Sequence, residues 1–438
     1  MKAITRRSFL AGVASAATVA GLAACSNGSG SKAASDGARK GKVYWLNFKP
    51  ELDATAQSLA KKYMEKYPDV KVKVVTAASG TYEQTLTSEM DKDDAPTLFV
   101  IGNRAAVKEW GSYAMDLKDT DLVKAQSTDE YNLKDGDKVV AAGYCYECYG
   151  ICVNDELLEK AGHSKDDIKD FASLKKVVED IHSRASELGF DAFAATDLDG
   201  ASAWRVTGHL ANLEYFYEEK KAGSTWTECP KTITGEYLPN YKNLFDLAIN
   251  NSTVAPETLA TGGHDPETEF AQGKAAFIFS GSFGYADIKD SVKKTSCIPY
   301  YCGVQGEEKA GLNCGTENCW AVNDNASEED KKATLDFALW LVTDAEAAKD
   351  MVDALGVLPF TGAPEGTNPY LNNAADLASK GNYTMDWATN FQPNVDTYRA
   401  ALVSALNSYT GDQSEANWGA FKTAFVDGWA NNYGKTSA

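Results

Sequence analysis

Between residues 42 and 101, apolar residues recur first with the spacing of a strand and then with that of a helix. Strands are predicted over 42–47, 70–74 and 97–101, where apolar residues run together or alternate with polar ones. Helices are predicted over 52–67 and 80–90. The first helix places six side chains on one face, namely Leu52, Ala56, Leu59, Ala60, Tyr63 and Tyr67. This βαβαβ order predicts a parallel sheet with helices on its faces.

Two more helices are predicted towards the other end of the chain. Ser327 is a suitable N-cap, and three acidic residues follow it in the first turn of the first helix. The second helix runs from Asp344 to just before Gly356, because glycine is favoured directly after a helix. The first helix carries an apolar stripe formed by Leu335, Ala338, Leu339 and Val342. We expect both helices to pack on a sheet.

The first 24 residues have the layout of an export signal. Three basic residues, Lys2, Arg6 and Arg7, precede an apolar run over 9–22, and small residues then lead to Cys25. The apolar run is fourteen residues long, whereas a membrane-spanning helix needs about twenty. The run is therefore too short to be a permanent membrane anchor.

Two short motifs in this signal resemble known processing sites. Residues 5–10 are similar to a twin-arginine signal, with an ordinary secretory signal as the alternative. Residues 22–25 resemble the lipobox of bacterial lipoproteins, in which Cys25 receives a diacylglyceryl group and becomes the first residue of the mature chain. Residues 26–41 are rich in Ser, Gly, Ala, Asn and Lys, which predicts a flexible tether. We therefore expect a lipid-anchored protein on the extracytoplasmic face of the cell membrane.

Size and charge limit the classes of partner. The 438-residue chain has 43 basic and 62 acidic residues, and removal of the predicted signal takes its net charge from −19 to −22. Nucleic-acid binding needs a basic surface that meets the phosphates, so no nucleic-acid partner is expected. With 44% hydrophobic residues, the mature chain is long enough for more than one lobe.

Eight cysteines remain when Cys25 is set aside. An even count in an exported chain suggests disulfides, here between the clusters at 145–152 and 297–319, with buried thiols as the alternative. A zinc site would need a second pair at a spacing comparable to the C-x-x-C of the first cluster, so no metal site is expected. The spacing does not choose a connectivity among Cys145, Cys148, Cys152, Cys229, Cys297, Cys302, Cys314 and Cys319.

Five segments spread over the mature chain carry a family resemblance. They are similar, in the same order, to segments of the extracellular solute-binding proteins of ABC importers, the large family that includes maltose-binding protein. The segments are Val43–Glu51 with Asp69–Val74, Asp94–Phe99, Glu147–Asn154, Phe270–Gly281, and Gly315–Asn323.

The resemblance implies an α/β protein with the two-lobed, type II periplasmic-binding-protein-like fold, hinged at crossing strands. It assigns residues 42–146 and about 300–360 to the first lobe, and residues 147–299 and about 361–438 to the second. The implied ligand is a carbohydrate, most simply an oligosaccharide, which the lobes enclose and pass to the permease subunits of an ABC transporter. The resemblance implies no cofactor, metal or catalytic residue.

The resemblance also places candidate ligand-binding residues at strand ends facing the cleft. Asn103 and Arg104 match positions that hold sugar hydroxyls, with capping of the next helix as the alternative. Glu147 matches an acidic residue at the crossing between lobes, where it would accept hydroxyls or form a structural ion pair. Phe283 and Tyr285 match aromatic residues that stack on the ligand, with core packing as the alternative.

Three further aromatic residues, Tyr82, Trp204 and Trp320, are candidates for the cleft, and core packing is the alternative for each. His209, close to Trp204 in the chain, is expected to be structural. Phe283 stands where the family usually has tryptophan, and this departure leaves the identity of the sugar open.

Two other classes of function stay open. A surface carbohydrate-active enzyme would need two carboxylates flanking the scissile bond, which a chain with 62 acidic residues can supply. The motifs of a serine nucleophile elbow, a phosphate-binding loop and an H-E-x-x-H zinc site do not occur in the sequence. A surface receptor or adhesin could use the same fold without transport.

Overall fold

A computed structural model describes residues 39–435 apart from positions 79, 197, 200 and 201. The predicted signal, the lipidated Cys25 and the tether as far as residue 38 lie outside the described residues.

The structure is built from strands and helices that alternate along most of the chain. The strands are β1 Gly41–Asn47, β2 Val70–Thr76, β3 Leu98–Val100, β4 Leu133–Asp135, β5 Lys138–Gly143, β6 Glu147–Asn154, β7 Asp191–Phe193, β8 Ala275–Gly281, β9 Thr295–Ile298, β10 Ala310–Gly315, β11 Cys319–Val322 and β12 Tyr383–Asp386. The helices are α1 Asp53–Lys66, α2 Tyr82–Met90, α3 Val107–Trp110, α4 Asp121–Lys124, α5 Asp155–Lys160, α6 Phe171–Ser183, α7 Ala185–Leu188, α8 Asn212–Ala222, α9 Leu238–Asn250, α10 Pro256–Leu259, α11 Pro266–Ala271, α12 Tyr285–Ile288, α13 Glu328–Thr343, α14 Ala345–Leu355, α15 Pro369–Ser379, α16 Val395–Gly411 and α17 Glu415–Asn432.

The first sheet has the strand order β2-β1-β3-β11-β5-β4. β1 pairs in parallel with both β2 and β3, as the βαβαβ pattern predicts. β11 arrives from much later in the chain and pairs antiparallel with β3 and β5. The sheet is therefore mixed, and its central strands come from two distant parts of the sequence.

The second sheet has the order β12-β10-β6-β8-β7, and β9 also pairs with β6. β6 is buried at all eight positions, because it pairs with β8, β9 and β10 and is covered by side chains of the second lobe. A long strand that is buried on both faces has a nearly continuous run of apolar residues in its sequence, as residues 148–153 do.

The chain crosses between the two sheets at two neighbouring segments, residues 143–147 and 315–319. The backbone N–H of Tyr144 donates to the carbonyl oxygen of Asn318 at 2.9 Å, so the crossing segments run side by side. Two α/β lobes joined by crossing strands are the architecture that the sequence predicts.

Two boundaries differ from the expected ones. β10, which was expected in the first lobe, lies in the second sheet, because it pairs with β6 and β12. Arg39 and Lys40, which were expected in the tether, contact the first lobe. The Arg39 guanidinium donates to the Tyr63 hydroxyl at 3.3 Å, and Lys40 pairs with Glu329 at 2.5 Å.

The two helices predicted near residue 327 are α13 and α14. The Ser327 hydroxyl accepts a hydrogen bond from the N–H of Asp330 at 3.1 Å, and the Asp344 side chain caps α14 in the same way. Gly356 follows α14 with φ of 94°, a conformation that favours glycine. α13 packs on β1 and β11. Ala338 and Val342 of the predicted stripe are buried, whereas Leu335 and Leu339 are only partly buried and Phe337 and Leu341 are buried instead.

The eight cysteines of the described residues are free thiols, and all except Cys229 are buried. Cys152 and Cys297 lie directly opposite each other on β6 and β9, with their sulfur atoms 3.9 Å apart. No three His, Cys, Asp or Glu side chains of the described residues are grouped so that they could hold a metal ion. Within the same part of the chain, no helix has the length and apolar character needed to cross a membrane.

Candidate ligand-binding cleft

A cavity of about 730 Å³ lies between the two lobes. The first lobe contributes the segment that follows β1 and the beginning of α2. The second lobe contributes the segment before α8, the end of β8 and the beginning of α16. The crossing segments form the floor with Glu147 and Glu317. Such an inter-lobe cleft with aromatic and polar walls is a preferred location for small-molecule binding.

Four rings of the second lobe form one side of the cavity, which we call the aromatic wall: Trp204, His209, Phe283 and Trp387. Trp204 meets Phe283 edge to face with ring centroids 5.4 Å apart, and it meets His209 at 4.8 Å. His209 also lies 5.9 Å from Trp387. These contacts fix the orientation of the rings, so an apolar surface is already in place for a ligand.

His209 is the central member of this wall, in the π-helical turn Arg205–Leu210. Its ring stacks on Tyr149 with centroids 3.9 Å apart. Burial lowers the pKa of His209 well below its usual value, and the positive charges of Arg399 and Arg205 lower it further. The imidazole is therefore neutral, and it contributes a ring face instead of a charge. Turns of this type are frequent at functional sites.

Lys49 is a buried lysine at the floor of the cavity, held by two carboxylates. Its Nζ lies 2.9 Å from Glu147 Oε1 and 2.8 Å from Glu51 Oε1, and the Asn318 amide donates to Glu147 Oε2 at 2.7 Å. Burial alone would lower the pKa of Lys49, but Glu147 and Glu51 outweigh it and raise this pKa well above its usual value. The charged lysine therefore ties the end of β1 to the crossing segment.

Arg205 supports the aromatic wall from behind. Its Nε donates to the carbonyl oxygen of Phe279 at 3.1 Å, its Nη1 donates to the Ser202 hydroxyl at 2.7 Å, and it pairs with Glu267. The guanidinium lies 4.1 Å from the centroid of the Trp204 ring, which is a cation–π contact. Arg205 thus positions Trp204 through bonds made inside the second lobe.

Three carboxylates face the cavity from three different elements, and we call them the acidic cluster: Glu83, Glu317 and Asp396. Burial raises the pKa of Glu83 to about 7, and the charges of Asp396 and Glu317 add to this effect. Burial also raises the pKa of Glu317 and of Asp396, while Arg399 opposes both changes. Burial is the main cause of all three raised pKa values, and repulsion from neighbouring carboxylates contributes at Glu83 and Glu317.

Five residues predicted for the site line this cavity: Tyr82, Asn103, Glu147, Trp204 and Phe283. Three of them already have partners within the protein for their polar atoms. Asn103 Oδ1 accepts from the N–H of Ala106 at 2.8 Å, as in the capping alternative. The carboxylate of Glu147 forms the ion pair with Lys49, and the Tyr82 hydroxyl accepts from the N–H of Val100 at 2.7 Å.

The other three predicted residues lie elsewhere. Trp320 is fully buried in the core of the first lobe, stacked on Tyr144 at 4.0 Å, because its strand is central in the sheet. Tyr285 packs against Tyr370 at 5.8 Å and lines a different depression. For both residues the structure favours the core-packing alternative over a place in the cleft. Arg104 lines a neighbouring cavity of about 340 Å³, which shares Gly102, Asn103 and Trp387 with the larger one.

Several residues of the cavity were missed by reasoning from the sequence, and His209 was expected to be only structural. The missed residues are far apart in the chain and have no common motif. Lys49 had a usable signal, since a lysine directly after an apolar strand end is expensive to bury without a carboxylate partner. Glu317, Asp396 and Arg399 had no such signal, because only the fold brings the crossing segment 315–319 and α16 to the same cavity.

Comparison with known proteins agrees with this architecture. The sequence model of the bacterial extracellular solute-binding proteins matches residues 58–375, and no curated protein matches the chain. Similar solved structures include RafE in complex with raffinose, at 18% identity and a TM-score of 0.67 over 88% of this chain and 99% of that one. A family 1 extracellular solute-binding protein from Bifidobacterium longum subsp. infantis has 21% identity and a TM-score of 0.59 over 90% and 99%. The sugar transporter BL01359 from Bacillus licheniformis in complex with stachyose has 17% identity and a TM-score of 0.65 over 89% and 99%. At these identities the likeness concerns the fold, and it confirms the predicted two-lobed α/β class.

Proposed function

Because the chain belongs to the bacterial extracellular solute-binding proteins, we propose that it captures a carbohydrate, most simply an oligosaccharide, in the cavity between its lobes. As a solute-binding protein of an ABC transporter, it would deliver this ligand to the permease subunits. The observation that carries the proposal is the aromatic wall of Trp204, His209, Phe283 and Trp387, which stands in a cavity otherwise lined mainly by polar and charged side chains.

The proposal rests on the chemistry of sugars. A sugar ring has an apolar face of C–H groups and a rim of hydroxyls, so it needs flat rings on one side and hydrogen-bonding groups on the other. Here Trp204 and Phe283 offer ring faces in a fixed arrangement. Carboxylates and the Arg399 guanidinium offer acceptors and donors across the cavity. Two proteins of similar fold support the choice of ligand, since RafE is in complex with raffinose and BL01359 is in complex with stachyose.

Binding would be coupled to closure of the two lobes. The lobes are joined at crossing segments that lie side by side, and the cavity takes its walls from both lobes. A ligand that contacts both walls stabilises the closed arrangement, which is the form that a permease would recognise. The process is binding and release, without covalent chemistry.

We further propose that the protein is a lipoprotein anchored through Cys25 on the extracytoplasmic face of the cell membrane. The support is the order of basic residues, apolar run and lipobox-like segment at 22–25. The packing of Arg39 and Lys40 on the first lobe would leave about thirteen residues, 26–38, as the tether. At about 5–6 Å × √n, such a chain spans about 20 Å, which keeps the lobes close to a permease.

A binding experiment with two variants tests the assignment of the cavity. The Trp204→Ala protein should bind a saccharide found in a screen, with raffinose and stachyose as first probes, at least tenfold more weakly, because it loses a ring face of the wall. The matched control is Tyr285→Ala, which removes an aromatic residue outside the cavity and should leave affinity unchanged. Isothermal titration measures both. Loss of binding in Tyr285→Ala with normal binding in Trp204→Ala would refute the site.

The same samples separate a binder from a carbohydrate-active enzyme. A binder raises the unfolding temperature in the presence of the saccharide, and the saccharide is recovered intact. Cleavage products after incubation would favour the enzyme alternative. A surface receptor would bind in the same way, but it would not stimulate uptake through permease subunits in reconstituted vesicles.

A further inference from the structure

The cavity between the lobes is strongly unbalanced in charge. Its lining includes nine carboxylates and three basic side chains, and the three bases are Lys49, Arg205 and Arg399. The carboxylates are those of Glu51, Glu83, Glu147, Asp199, Asp265, Glu267, Asp287, Glu317 and Asp396. A neutral sugar does not need such an excess, so the question is which carboxylates remain available to a ligand.

Most of the basic charge is already used inside the protein. Lys49 is paired with Glu51 and Glu147. Arg205 is paired with Glu267 and directed into the second lobe by its bonds to Ser202 and Phe279. These two bases are therefore held by three carboxylates of the lining.

Of the six other carboxylates, Asp199 and Asp265 accept backbone N–H bonds from Ser202 and Thr268, and Asp287 lies near Glu51 and Lys289. The remaining three are the acidic cluster of Glu83, Glu317 and Asp396. Within the part of the chain that the structure describes, Glu317 and Asp396 have no hydrogen-bond or ion-pair partner, and Oδ2 of Asp396 is fully buried. Glu83 accepts one hydrogen bond, from the indole N–H of Trp110 at 2.9 Å. Arg399 is the basic residue nearest to the cluster, and its Nε donates to Gln392 at 2.6 Å. Three carboxylates thus face one guanidinium.

The cluster also spans the hinge. Glu83 belongs to α2 of the first lobe, Glu317 to a crossing segment, and Asp396 to α16 of the second lobe. Like charges brought together from two lobes repel, and they do so more strongly as closure removes water from between them. A positive group placed among them would convert this repulsion into attraction.

We propose that the natural ligand carries a protonated amino group, bound among Glu83, Glu317 and Asp396, and that it is an amino sugar with its ring against Trp204 and Phe283. This inference rests on the proposed carbohydrate function and narrows it to a cationic saccharide. The amino group makes charge-assisted hydrogen bonds to carboxylates of both lobes. It therefore favours closure more than an uncharged sugar of the same size.

A linear polyamine has the same positive group but lacks a ring face. The aromatic wall is rigid and preassembled, with Trp204 and Phe283 in edge-to-face contact, and it favours a flat apolar face over a flexible chain. A binding test must therefore compare an amino sugar with a linear polyamine.

The test uses the folded chain and three probes at pH 7: a trisaccharide of glucosamine, its fully N-acetylated counterpart and spermidine. The first two share the same sugar backbone, but the first has free amino groups that can be protonated, whereas the second has neutral and larger acetamido groups. We expect the glucosamine trisaccharide to bind at least tenfold more tightly than the N-acetylated one, and more tightly than spermidine. Glu317→Gln and Asp396→Asn should each remove most of this preference, while Glu257→Gln, an exposed change on α10, should not alter it.

The possible results distinguish failure of the cationic ligand from failure of the carbohydrate function. Equal or tighter binding of the N-acetylated trisaccharide overturns the cationic ligand but leaves the carbohydrate function standing. Binding of spermidine without either saccharide overturns the carbohydrate function, and the amino sugar is then refuted with it. A preference for the glucosamine probe that survives in both cluster variants contradicts the placement of the amino group. Binding of none of the three probes at millimolar concentration also counts against the inference.

Discussion

Replacement of Glu83 by glutamine should stabilise the ligand-free protein at pH 8. In the cavity, Glu83 is largely but not fully buried. Burial raises its pKa, and the charges of Asp396 and Glu317 add to this effect. Glutamine has nearly the same shape, and its amide oxygen can accept the hydrogen bond that Trp110 donates to Glu83. The variant therefore removes the charge and keeps the contact.

The magnitude follows from the pKa of Glu83 in the folded protein, which is about 7, against an ordinary value of 4.5. Between pH 4.5 and about pH 7, Glu83 is protonated more often in the folded state than in the unfolded state. The free energy of unfolding therefore falls as pH rises through this range. At about 1.4 kcal/mol per pH unit, the full cost of ionising Glu83 in the fold is about 3 kcal/mol and is reached above pH 7. At pH 5 the cost of ionising Glu83 in the folded protein is less than about 1 kcal/mol.

Urea unfolding of the wild-type and Glu83→Gln proteins at pH 5 and pH 8 measures this difference. We expect the variant to be more stable by about 3 kcal/mol at pH 8 and by less than about 1 kcal/mol at pH 5. Glu65→Gln, at an exposed position of α1, serves as the control and should change little at either pH. A variant that is less stable than wild type at pH 8, or a difference that does not depend on pH, would refute the reasoning.

Three other predictions concern neighbouring groups. Glu147→Gln leaves the buried Lys49 with one carboxylate instead of two. Urea unfolding should show that the free energy of unfolding falls by about 3 kcal/mol, and an unchanged midpoint would contradict the importance of this ion pair. Under mild oxidation by a disulfide-containing reagent, Cys152 and Cys297 should form a disulfide, because they face each other across paired strands. Peptide mapping without reductant would detect this disulfide. If both thiols are instead alkylated independently after oxidation, the prediction is wrong. Affinity for the glucosamine trisaccharide should be at least about fivefold weaker at pH 5 than at pH 7, since Glu83 must lose its proton to hold the amino group, and this effect outweighs the fuller protonation of the sugar amine at the lower pH. Titration at both pH values checks this, and tighter binding at pH 5 would contradict it.

The elements with a clear period were predictable from the sequence. β1, α1 and β2 appear within one or two residues of their predicted ends, because apolar spacing, Pro68 and the valine alternation act locally. The caps at Ser327 and Gly356 were recognised for the same reason. The two-lobed arrangement could be predicted only from the family resemblance, since no local sequence pattern indicates that β11 pairs with strands of the first sheet.

The site was less predictable, because a ring that stacks on a ligand and a ring that fills a core look alike in a sequence. Trp320 and Trp204 illustrate this. Trp320 sits on a strand paired on both sides and is buried against Tyr144, whereas Trp204 precedes a π-helical turn and faces the cavity. The acidic cluster could not be predicted at all, since its members come from α2, a crossing segment and α16.

The central claim is that a saccharide binds intact in the cavity between the lobes. A crystal structure of the protein soaked or grown with the best-binding saccharide tests it most directly. We predict an uncleaved ligand with a ring against Trp204 and Phe283 and with a polar group within hydrogen-bond distance of Glu317. A ligand found only in the neighbouring cavity beside Arg104, or a cleaved product in place of the ligand, would contradict the account.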